Sequence, residues 1–241
     1  MQAEETSGLI TCQVAGLKKL NHDIMQVLLE PVAPAFLSFH AGQYINLILD
    51  DATERPFSLA SAPREDNLIE LHIRHNAGGG VARWLNADNG SDLSVVISGP
   101  RGEFRLHDSD RPMIMLAGGT GFAPIKGLME QIVREGVTRP VYLYWGARRR
   151  EDLYMDELPR QWARDYANIH FTPVLSEDTG EHDTRSGLVH EAVLEDFPDL
   201  AGFEAYLSGP AAMIQAARES FLEHGLDEQA MFSDMFAFID D

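Results

Sequence analysis

Residues 113–124 read Met-Ile-Met-Leu-Ala-Gly-Gly-Thr-Gly-Phe-Ala-Pro. The five apolar residues 113–117 form an uninterrupted run typical of a fully buried strand, and a helical pattern follows over 123–134. Pro124 falls in the first helical turn, where its missing N–H costs nothing. A glycine turn between strand and helix lets the backbone approach a diphosphate, which the helix N-terminus attracts. The stretch predicts a nucleotide-binding turn, with a tight turn lacking any ligand as the alternative.

The chain after this stretch keeps alternating strand and helix patterns. Further strands are predicted at 141–145, 169–175, 205–208 and 231–232, and helices at 152–166, 188–194 and 211–224. Strands that alternate with helices in this way form a parallel sheet with crossover helices. The second half is therefore predicted to be an α/β domain with a doubly wound parallel sheet.

The chain before this stretch has a different pattern. Short apolar runs at 25–29, 44–49, 68–73 and 93–97 are separated by turn residues, with one helix-like segment at 81–88. Several short strands at such spacing predict an antiparallel barrel or sandwich. We therefore expect two domains, residues 1–107 and residues 108–241, joined at the polar segment 107–110.

Composition excludes several classes of function. The chain has 241 residues, 44% hydrophobic and 24% charged, which is globular, and its net charge of −19 disfavours binding to nucleic acid or to membrane surfaces. A single cysteine, Cys12, excludes an internal disulfide and a cysteine-held iron–sulfur cluster or zinc site. No signal peptide, membrane-length apolar run or metal motif is present. We expect a cytoplasmic protein without a metal.

Six short motifs follow one another along the chain. They are Arg-Pro-Phe-Ser (55–58), Gly-Gly-Gly-Val-Ala-Arg-Trp-Leu (78–85), Gly-Pro-Arg-Gly-Glu-Phe (99–104), Gly-Gly-Thr-Gly-Phe-Ala-Pro (118–124), Tyr-Trp-Gly-Ala-Arg (144–148) and Ser-Gly-Pro (208–210). Read singly, most of them are equally compatible with ordinary turns. In this order they resemble the ferredoxin–NADP reductase superfamily over essentially the whole chain. Bacterial NAD(P)H:flavin reductases are the most similar members, and the tail 232–239 resembles their C-terminus.

The resemblance implies a flavin site on the first domain. Arg55 would face phosphate or ribityl oxygens, and Ser58 would act catalytically by hydrogen bonding near flavin N5. Phe57 lacks the hydroxyl of the tyrosine common in the family, and Ala82 lacks the hydroxyl that caps a helix against the pyrophosphate. Both departures favour a loosely held flavin, whether FAD, FMN or riboflavin. The other implied flavin-binding residues are Pro56, His72, Ile73, Arg74, Gly79, Gly80 and Val81.

The resemblance also implies a nicotinamide nucleotide site on the second domain. The residues expected there are Gly118, Gly119, Thr120, Gly121, Phe122, Pro124, Gly146, Arg148, Ser176, Glu177, Ser208, Gly209 and Pro210. In the tail, Asp234 would act catalytically and Phe236 would lie beside the rings. The alternatives for these two are a charged edge residue and a core aromatic residue.

The choice between coenzymes depends on residue 177. NADPH-specific relatives carry an arginine at this position, whereas the Glu177 carboxylate would accept hydrogen bonds from ribose hydroxyls and repel a 2′-phosphate. The basic cluster 148–150 keeps NADPH open. The expected coenzyme is NADH.

Three functions are compatible with these features. The first is a flavin reductase that passes a hydride from NADH to flavin N5 and supplies reduced flavin to a partner oxygenase. The second is a reductase with bound FAD that passes electrons directly to a separate iron–sulfur or oxygenase protein. The third is a non-catalytic flavin- or nucleotide-binding regulatory subunit.

Overall fold

The computed structural model describes residues 8–49, 53–74, 84–85, 93–177 and 183–234. The first half contributes six strands: β1 (Ile10–Lys19), β2 (Ile24–Pro31), β3 (Tyr44–Ile48), β4 (Glu54–Ser58), β5 (Ile69–Arg74) and β6 (Ser94–Arg101). They pair antiparallel in the order β4-β3-β6-β1-β2-β5. This confirms the antiparallel sheet predicted for the first half.

The first sheet closes on itself. A bridge between Leu59 and Leu71 joins the two outermost strands, β4 and β5, so the sheet forms a barrel and not a sandwich. Alternate residues such as Ile45, Leu47 and Ile97 point inward and form one buried core. Cys12 is buried in the same core, and burial raises the pKa of its thiol to about 12, so the thiol stays protonated.

The Arg-Pro-Phe-Ser motif lies within a strand, whereas the sequence pattern placed it between two strands. Its residues make up most of β4 and pair with β3, with Tyr44 opposite Ser58 and Asn46 opposite Pro56. A proline is tolerated there because residues 54–58 pair with β3 alone, and the bridge that closes the barrel lies just beyond β4 at Leu59, so the other side of Pro56 needs no ladder partner.

The second half forms a six-stranded parallel sheet. Its strands are β7 (Met113–Gly118), β8 (Val141–Ala147), β9 (Ile169–Leu175), β10 (Arg185–Ser186), β11 (Glu204–Ser208) and β12 (Met231–Phe232). The order is β10-β9-β8-β7-β11-β12, and every pair is parallel. The chain builds outward from β7 in one direction and then resumes beside it with β11. This is the predicted doubly wound sheet, with its switch point between β7 and β11.

Four helices cover the two faces of the parallel sheet. They are α1 (Phe122–Glu135), α2 (Glu157–Asp165), α3 (Val189–Asp196) and α4 (Ala211–Glu223). Met113 and Met115 pack with residues of α1 and α2, whereas Ile114 and Leu116 pack with α3 and α4. None of the described helices combines the length and apolar composition that a membrane crossing requires.

The second helix begins later than the pattern predicted. Instead of one helix over 152–166, a short 3-10 turn spans Arg150–Asp152, and α2 starts at Glu157. Leu153 and Tyr154, between the two, are buried in the core. Pro159 follows in the first turn of α2, where it displaces no hydrogen bond.

The segment between the two sheets is attached to the second domain. The backbone N–H of His107 donates to the Tyr206 hydroxyl at 3.1 Å, and its carbonyl accepts from Arg139 at 2.9 Å. Its imidazole stacks on Phe232 with 4.0 Å between ring centroids. The last strand of the antiparallel sheet, β6, ends before His107, and the first strand of the parallel sheet, β7, begins after it. The domain boundary at 107–108 stays a prediction.

Candidate active site

The carboxyl ends of β7 and β11 open into a cleft at the switch point of the parallel sheet. Gly118 ends β7, Ser208 ends β11, and helices α1 and α4 start immediately beyond them. A Cβ atom on Gly121 would lie 2.1 Å from the Ser208 carbonyl oxygen, so only glycine allows this approach. Gly119 has a φ of +53°, in the left-handed region that glycine adopts readily. Two helix N-termini thus present free N–H groups beside a loop in which three of the four residues are glycines.

The two domains together form the walls of this first cleft, which has a volume of about 380 Å³. The barrel supplies residues from β3, β4 and β5, and the α/β domain supplies its two carboxyl-end loops. Residues near the chain's last strand complete the wall. The cleft is lined by Tyr44, Pro56, Ser58, Arg74, Phe104, Gly118, Gly119, Thr120, Gly121, Pro124, Leu207, Ser208, Gly209, Pro210, Ser233 and Asp234.

The barrel side of the first cleft is formed mainly by one face of β4 and by Tyr44 of the adjacent strand β3. Pro56 and Ser58 alternate with Arg55 and Phe57, so only the first pair lines the cleft. Tyr44 reaches the same wall because it pairs directly with Ser58 across the strands. A serine, a proline and a tyrosine of the barrel therefore face the glycine loop of the other domain.

Asp234 is an acidic group in a protected part of the first cleft. Its carboxylate accepts hydrogen bonds from the backbone N–H groups of Glu103 and Phe104. The same carboxylate packs against Gly102, where an added Cβ atom would lie only 2.8 Å from the Asp234 Oδ1 and Oδ2 atoms. Burial raises its pKa to about 6, against the opposing effect of these hydrogen bonds. Asp234 therefore changes charge close to physiological pH.

A second cleft of about 470 Å³ adjoins the first. It lies beyond the ends of β8 and β9 and beside the first turns of α3 and α4. Its lining is Arg74, Gly118, Gly119, Gly146, Ala147, Arg148, Asp152, Val174, Ser176, Gly187, Leu188, Val189, His190, Pro210, Ala212, Met213 and Ala216. Arg74, Gly118, Gly119 and Pro210 line both clefts, so the two are continuous at the glycine loop.

The glycine loop is held in place by aromatic side chains behind it. The Trp145 indole N–H donates to the Gly119 carbonyl oxygen at 3.0 Å, and the Trp145 ring stacks on Phe122 with 3.9 Å between centroids. Tyr154 packs edge-on against both rings. Phe122 is thus fully buried as a support of the loop, and a ligand in the cleft could meet only its backbone.

Buried polar contacts fix the two domains to each other. Glu70 and His72 of the barrel strand β5 meet Lys126 of α1 and Tyr154 of the α/β domain. The Lys126 ammonium is 3.2 Å from Glu70 and 2.6 Å from Glu130, and it donates to the Ala60 carbonyl at 2.8 Å. The relative position of the two walls of the first cleft therefore depends on these bonds.

His72 belongs to this network and not to a ligand site. Its two ring nitrogens contact the Glu70 carboxylate at 2.9 Å and the Tyr154 hydroxyl at 3.0 Å. Burial lowers the pKa of His72 and raises that of Tyr154. A neutral imidazole that donates to Glu70 and accepts from the tyrosine O–H satisfies all three groups. The His72 side chain lines neither cleft, so a contact with flavin would have to come from its backbone.

The same network sets the ionisation of Glu70. Burial opposes its charge, but the hydrogen bond from His72 and the charge of Lys126 outweigh burial and hold its pKa at about 2. This depressed pKa contributes stability above the ordinary value of 4.5, and that stability is lost as the pH falls from there towards about 2.

The structure brings most predicted site residues to the clefts, but not all of them. Arg55 is exposed, Phe57 and Ile73 pack with the barrel core, and the Glu177 carboxylate lies 3.3 Å from the Arg149 guanidinium. None of these four side chains lines a cleft, and their roles at a ligand stay predictions. Gly79, Gly80, Val81, Ala82 and Phe236 lie outside the described residues.

Several cleft residues were not predicted from the sequence. Tyr44 and His190 line the walls without belonging to any of the six motifs, and Phe104 ends the motif 99–104 without having been named as a site residue. The register of β3 against β4 would have located Tyr44, because it lies opposite Ser58. The motif 99–104 could have indicated Phe104, whereas the place of His190 depends on how distant segments pack, for which the sequence carries no local signal.

The walls of both clefts fit a flavin and a nicotinamide dinucleotide. The clefts have volumes in the range of ligand sites, and the loop 118–121, with only the Thr120 side chain, offers a cradle at two helix N-termini for a diphosphate. Arginines and serines at the rims can bind phosphate and ribose oxygens. Within the described part of the chain, no three His, Cys, Asp or Glu side chains are grouped to hold a metal ion.

Comparison with known proteins matches two successive parts of the chain to oxidoreductase families. Residues 11–106 match the family described as oxidoreductase FAD-binding domain, and residues 115–219 match oxidoreductase NAD-binding domain. An NAD(P)H-flavin reductase of Vibrio harveyi is 37% identical over 95% of this chain and 99% of that protein. A CDP-6-deoxy-L-threo-D-glycero-4-hexulose-3-dehydrase reductase of Yersinia pestis is 38% identical over 93% of this chain and 68% of that protein.

A solved structure supports the fold independently. The Amycolatopsis cytochrome P450 reductase GcoB superposes with a TM-score of 0.86 at 31% identity, over 94% of this chain and 69% of that one. Barrel, switch-point loop and shared cleft together define an oxidoreductase that uses a flavin and a nicotinamide nucleotide. The chain belongs to the ferredoxin–NADP reductase superfamily and is of its flavin reductase type.

Proposed function

We propose that this chain transfers a hydride from NADH to a loosely held flavin and supplies the reduced flavin to a partner. The observation that carries this proposal is that Ser58 and the glycine loop 118–121 line the same cleft from opposite domains. A flavin on the barrel wall and a nicotinamide on the loop wall would then meet face to face. When bound, the nicotinamide supplies the hydride and the flavin accepts it.

The protein's own contribution is binding, orientation and exclusion of water. The Ser58 hydroxyl would hydrogen-bond at flavin N5, and the Tyr44 and Pro56 side chains beside it would limit how the ring system lies. The loop 118–121 and the N-terminus of α4 would hold the dinucleotide diphosphate. Asp234, when ionised, would favour the positive charge that the nicotinamide gains on oxidation. No side chain is required as a nucleophile.

The relatives support two ways of delivering electrons. The Vibrio harveyi protein is named a flavin reductase, which favours release of reduced flavin. The Yersinia pestis and Amycolatopsis proteins are named reductases of a dehydrase and a cytochrome P450, which favours bound FAD and direct electron transfer to a separate protein. Phe57 packs with the barrel core and offers the flavin no hydroxyl, so we place the released-flavin function first.

The absorbance spectrum of the purified, desalted protein separates these functions. We expect a colourless protein that oxidises NADH only when riboflavin, FMN or FAD is added. A yellow protein that keeps its flavin through desalting would establish the bound-FAD reductase instead. A colourless protein that stays inactive with every flavin would contradict both and leave a non-catalytic binding subunit.

The coenzyme preference is tested at residue 177. In the described structure the Glu177 carboxylate pairs with Arg149, which reduces the attraction of that arginine for a 2′-phosphate. We expect Glu177→Arg to raise kcat/KM for NADPH relative to NADH by about tenfold or more. The control is Glu223→Arg, which makes the same charge change at the exposed end of α4. An unchanged ratio in Glu177→Arg would remove this residue from coenzyme selection.

A further inference from the structure

Trp145 connects the buried core of the second domain to the loop 118–121. It lies near the end of β8, and its side chain is fully buried. Its indole N–H donates to the Gly119 carbonyl oxygen at 3.0 Å, and the same oxygen accepts from the backbone N–H of Phe122. Neither donor residue belongs to the lining of a cleft. The Gly119 carbonyl is therefore directed into the protein and away from a ligand.

The direction of this carbonyl fixes the direction of a free donor. The Gly119–Thr120 peptide is trans, so the Gly119 C=O and the Thr120 N–H point to opposite sides of the chain. Thr120 lies in the 3-10 turn Gly119–Gly121, where the first N–H groups have no partner within the turn. Because the carbonyl points towards Trp145, the Thr120 N–H points towards the first cleft, which Thr120 lines.

The glycine by itself does not hold this peptide unit in one orientation. Gly119 has a φ of +53°, and a glycine leaves that region for others at little steric cost. If the peptide unit turned over, its carbonyl oxygen would face an anion in the cleft and repel it. The hydrogen bond from Trp145 opposes this rotation, because turning the carbonyl would leave the buried indole N–H without its acceptor.

Aromatic contacts keep the indole itself in place. Its ring stacks on Phe122, the first residue of α1, with 3.9 Å between centroids, and Tyr154 packs edge-on against it at 5.1 Å. The Tyr154 hydroxyl lies 3.0 Å from the Nδ1 atom of His72 on the barrel strand β5. The donor is thus fixed by both domains before any ligand arrives, which spares the ligand the cost of ordering the loop.

We propose that Trp145 is a positioning residue for the nicotinamide nucleotide: its indole N–H holds the Gly119 carbonyl in the core and thereby keeps the Thr120 N–H directed at the diphosphate. The inference rests on the proposed function, which gives the loop its ligand. Trp145 lines neither cleft, so it acts through the loop, and its loss affects coenzyme affinity and not the flavin site.

The test removes the indole N–H and keeps an aromatic ring. We expect Trp145→Phe to weaken the binding of ADP-ribose, which carries the diphosphate without nicotinamide, about fivefold in titration calorimetry. The KM for NADH should rise by a similar factor, while kcat at saturating NADH and the KM for FMN stay within about twofold. The matched control is Trp162→Phe, the same change on α2 in the same buried cluster, which should leave each of these constants within about twofold.

A backbone resonance separates positioning from general support of the fold. In the unmutated protein the Thr120 amide proton resonance should move downfield when ADP-ribose saturates the protein, because its N–H then donates to a phosphate oxygen. In saturated Trp145→Phe this movement should be at most half as large. An unchanged ADP-ribose affinity, a full movement of the Thr120 resonance, or an equal loss of FMN and ADP-ribose binding in Trp145→Phe would each overturn the inference. If the unmutated protein binds neither ADP-ribose nor NADH, the proposed function itself fails, and this result is distinguishable because it involves no variant.

Discussion

Ser58 lines the first cleft on the barrel side, with Pro56 on the same strand and Tyr44 opposite it on β3. A hydrogen bond that strengthens as charge develops at the flavin lowers the barrier without tightening NADH binding. We expect Ser58→Ala to slow flavin reduction about tenfold or more while NADH affinity stays within about twofold. Stopped-flow mixing of NADH with enzyme and excess flavin measures both quantities.

The control for this variant is Ser94→Ala, at an exposed position of β6 in the same barrel. It should match the parent protein in rate and in NADH affinity. Equal rates for Ser58→Ala and the parent would show that the hydroxyl has no part in the reaction.

The raised pKa of Asp234 predicts that the rate of flavin reduction depends on pH. Because its pKa is raised to about 6, the carboxylate is charged above that pH and neutral below it. Its negative charge would stabilise the positive nicotinamide that forms on oxidation, so the rate of flavin reduction should fall as the pH drops through about 6. Asp234→Asn should be slower at pH 8 and should lose this inflection.

Rates measured from pH 5 to pH 8 at saturating NADH check this prediction. An inflection near pH 6 that persists in Asp234→Asn would assign the titration to another group.

The sequence motifs predicted which segments line the first cleft better than they predicted the contacts of individual side chains. Ser58, the loop 118–121 and Ser208, which belong to the ordered motifs, line the first cleft, and their contacts with a ligand stay predictions. His72 does not contact the clefts through its side chain because Glu70 and Tyr154 take up both ring nitrogens. The sequence shows a histidine in a strand but not the two partners, which come from pairing within the barrel and from the other domain.

At the scale of elements, apolar runs gave the parallel strands with nearly correct bounds, whereas short polar strands were missed. Strand β4 carries Glu54, Arg55 and Pro56, which lack the alternation of a half-buried strand. It is a strand because it pairs with β3 on one side and leads into the bridge between Leu59 and Leu71 that closes the barrel. These pairings depend on the whole sheet and leave no local pattern in the sequence. The late start of α2 has a similar cause, since Leu153 and Tyr154 are drawn into the core.

The contact between β5 and α1 has a measurable energetic role. Lys126 is buried between Glu70 and Glu130, so Lys126→Met leaves the Glu70 carboxylate without its buried counterion. We expect a loss of about 3 kcal/mol in the free energy of unfolding, measured by urea denaturation. Lys18→Met, at an exposed position of β1, should change it by less than about 0.5 kcal/mol.

A double variant separates this ion pair from simple packing. Glu70→Gln combined with Lys126→Met should cost less than the sum of the two single changes, because the second change no longer strands a charge. Strict additivity would mean that the two side chains do not interact energetically.

At the scale of the whole molecule, the two domains share a core. Ala41, Ala62 and Phe104 of the first half belong to the same buried cluster as residues of β7 and α1. A barrel that unfolded alone would expose this cluster and break the Lys126 network. We therefore expect a single calorimetric transition in which the calorimetric and van't Hoff enthalpies agree.

Addition of NADH and a flavin should raise the midpoint of that one transition, because both ligands bind only the folded state. Two resolved transitions in the absence of ligands would contradict the shared core. The buried cluster that the two domains share was not predictable from the sequence, because the sequence patterns of the two halves indicate two separate domains.

Arg74 ends β5 where the two clefts meet, with its guanidinium 3.1 Å from Asp23 and its residue part of both linings. Under the proposed function, this one positive group would face both the flavin and the dinucleotide. A ligand in either cleft would change the electrostatic environment and the mobility of the Arg74 side chain for the other ligand, so we expect the binding of the two ligands to be thermodynamically linked. Thermodynamic linkage then requires that bound flavin change the affinity for the dinucleotide by the same factor as bound dinucleotide changes the affinity for flavin.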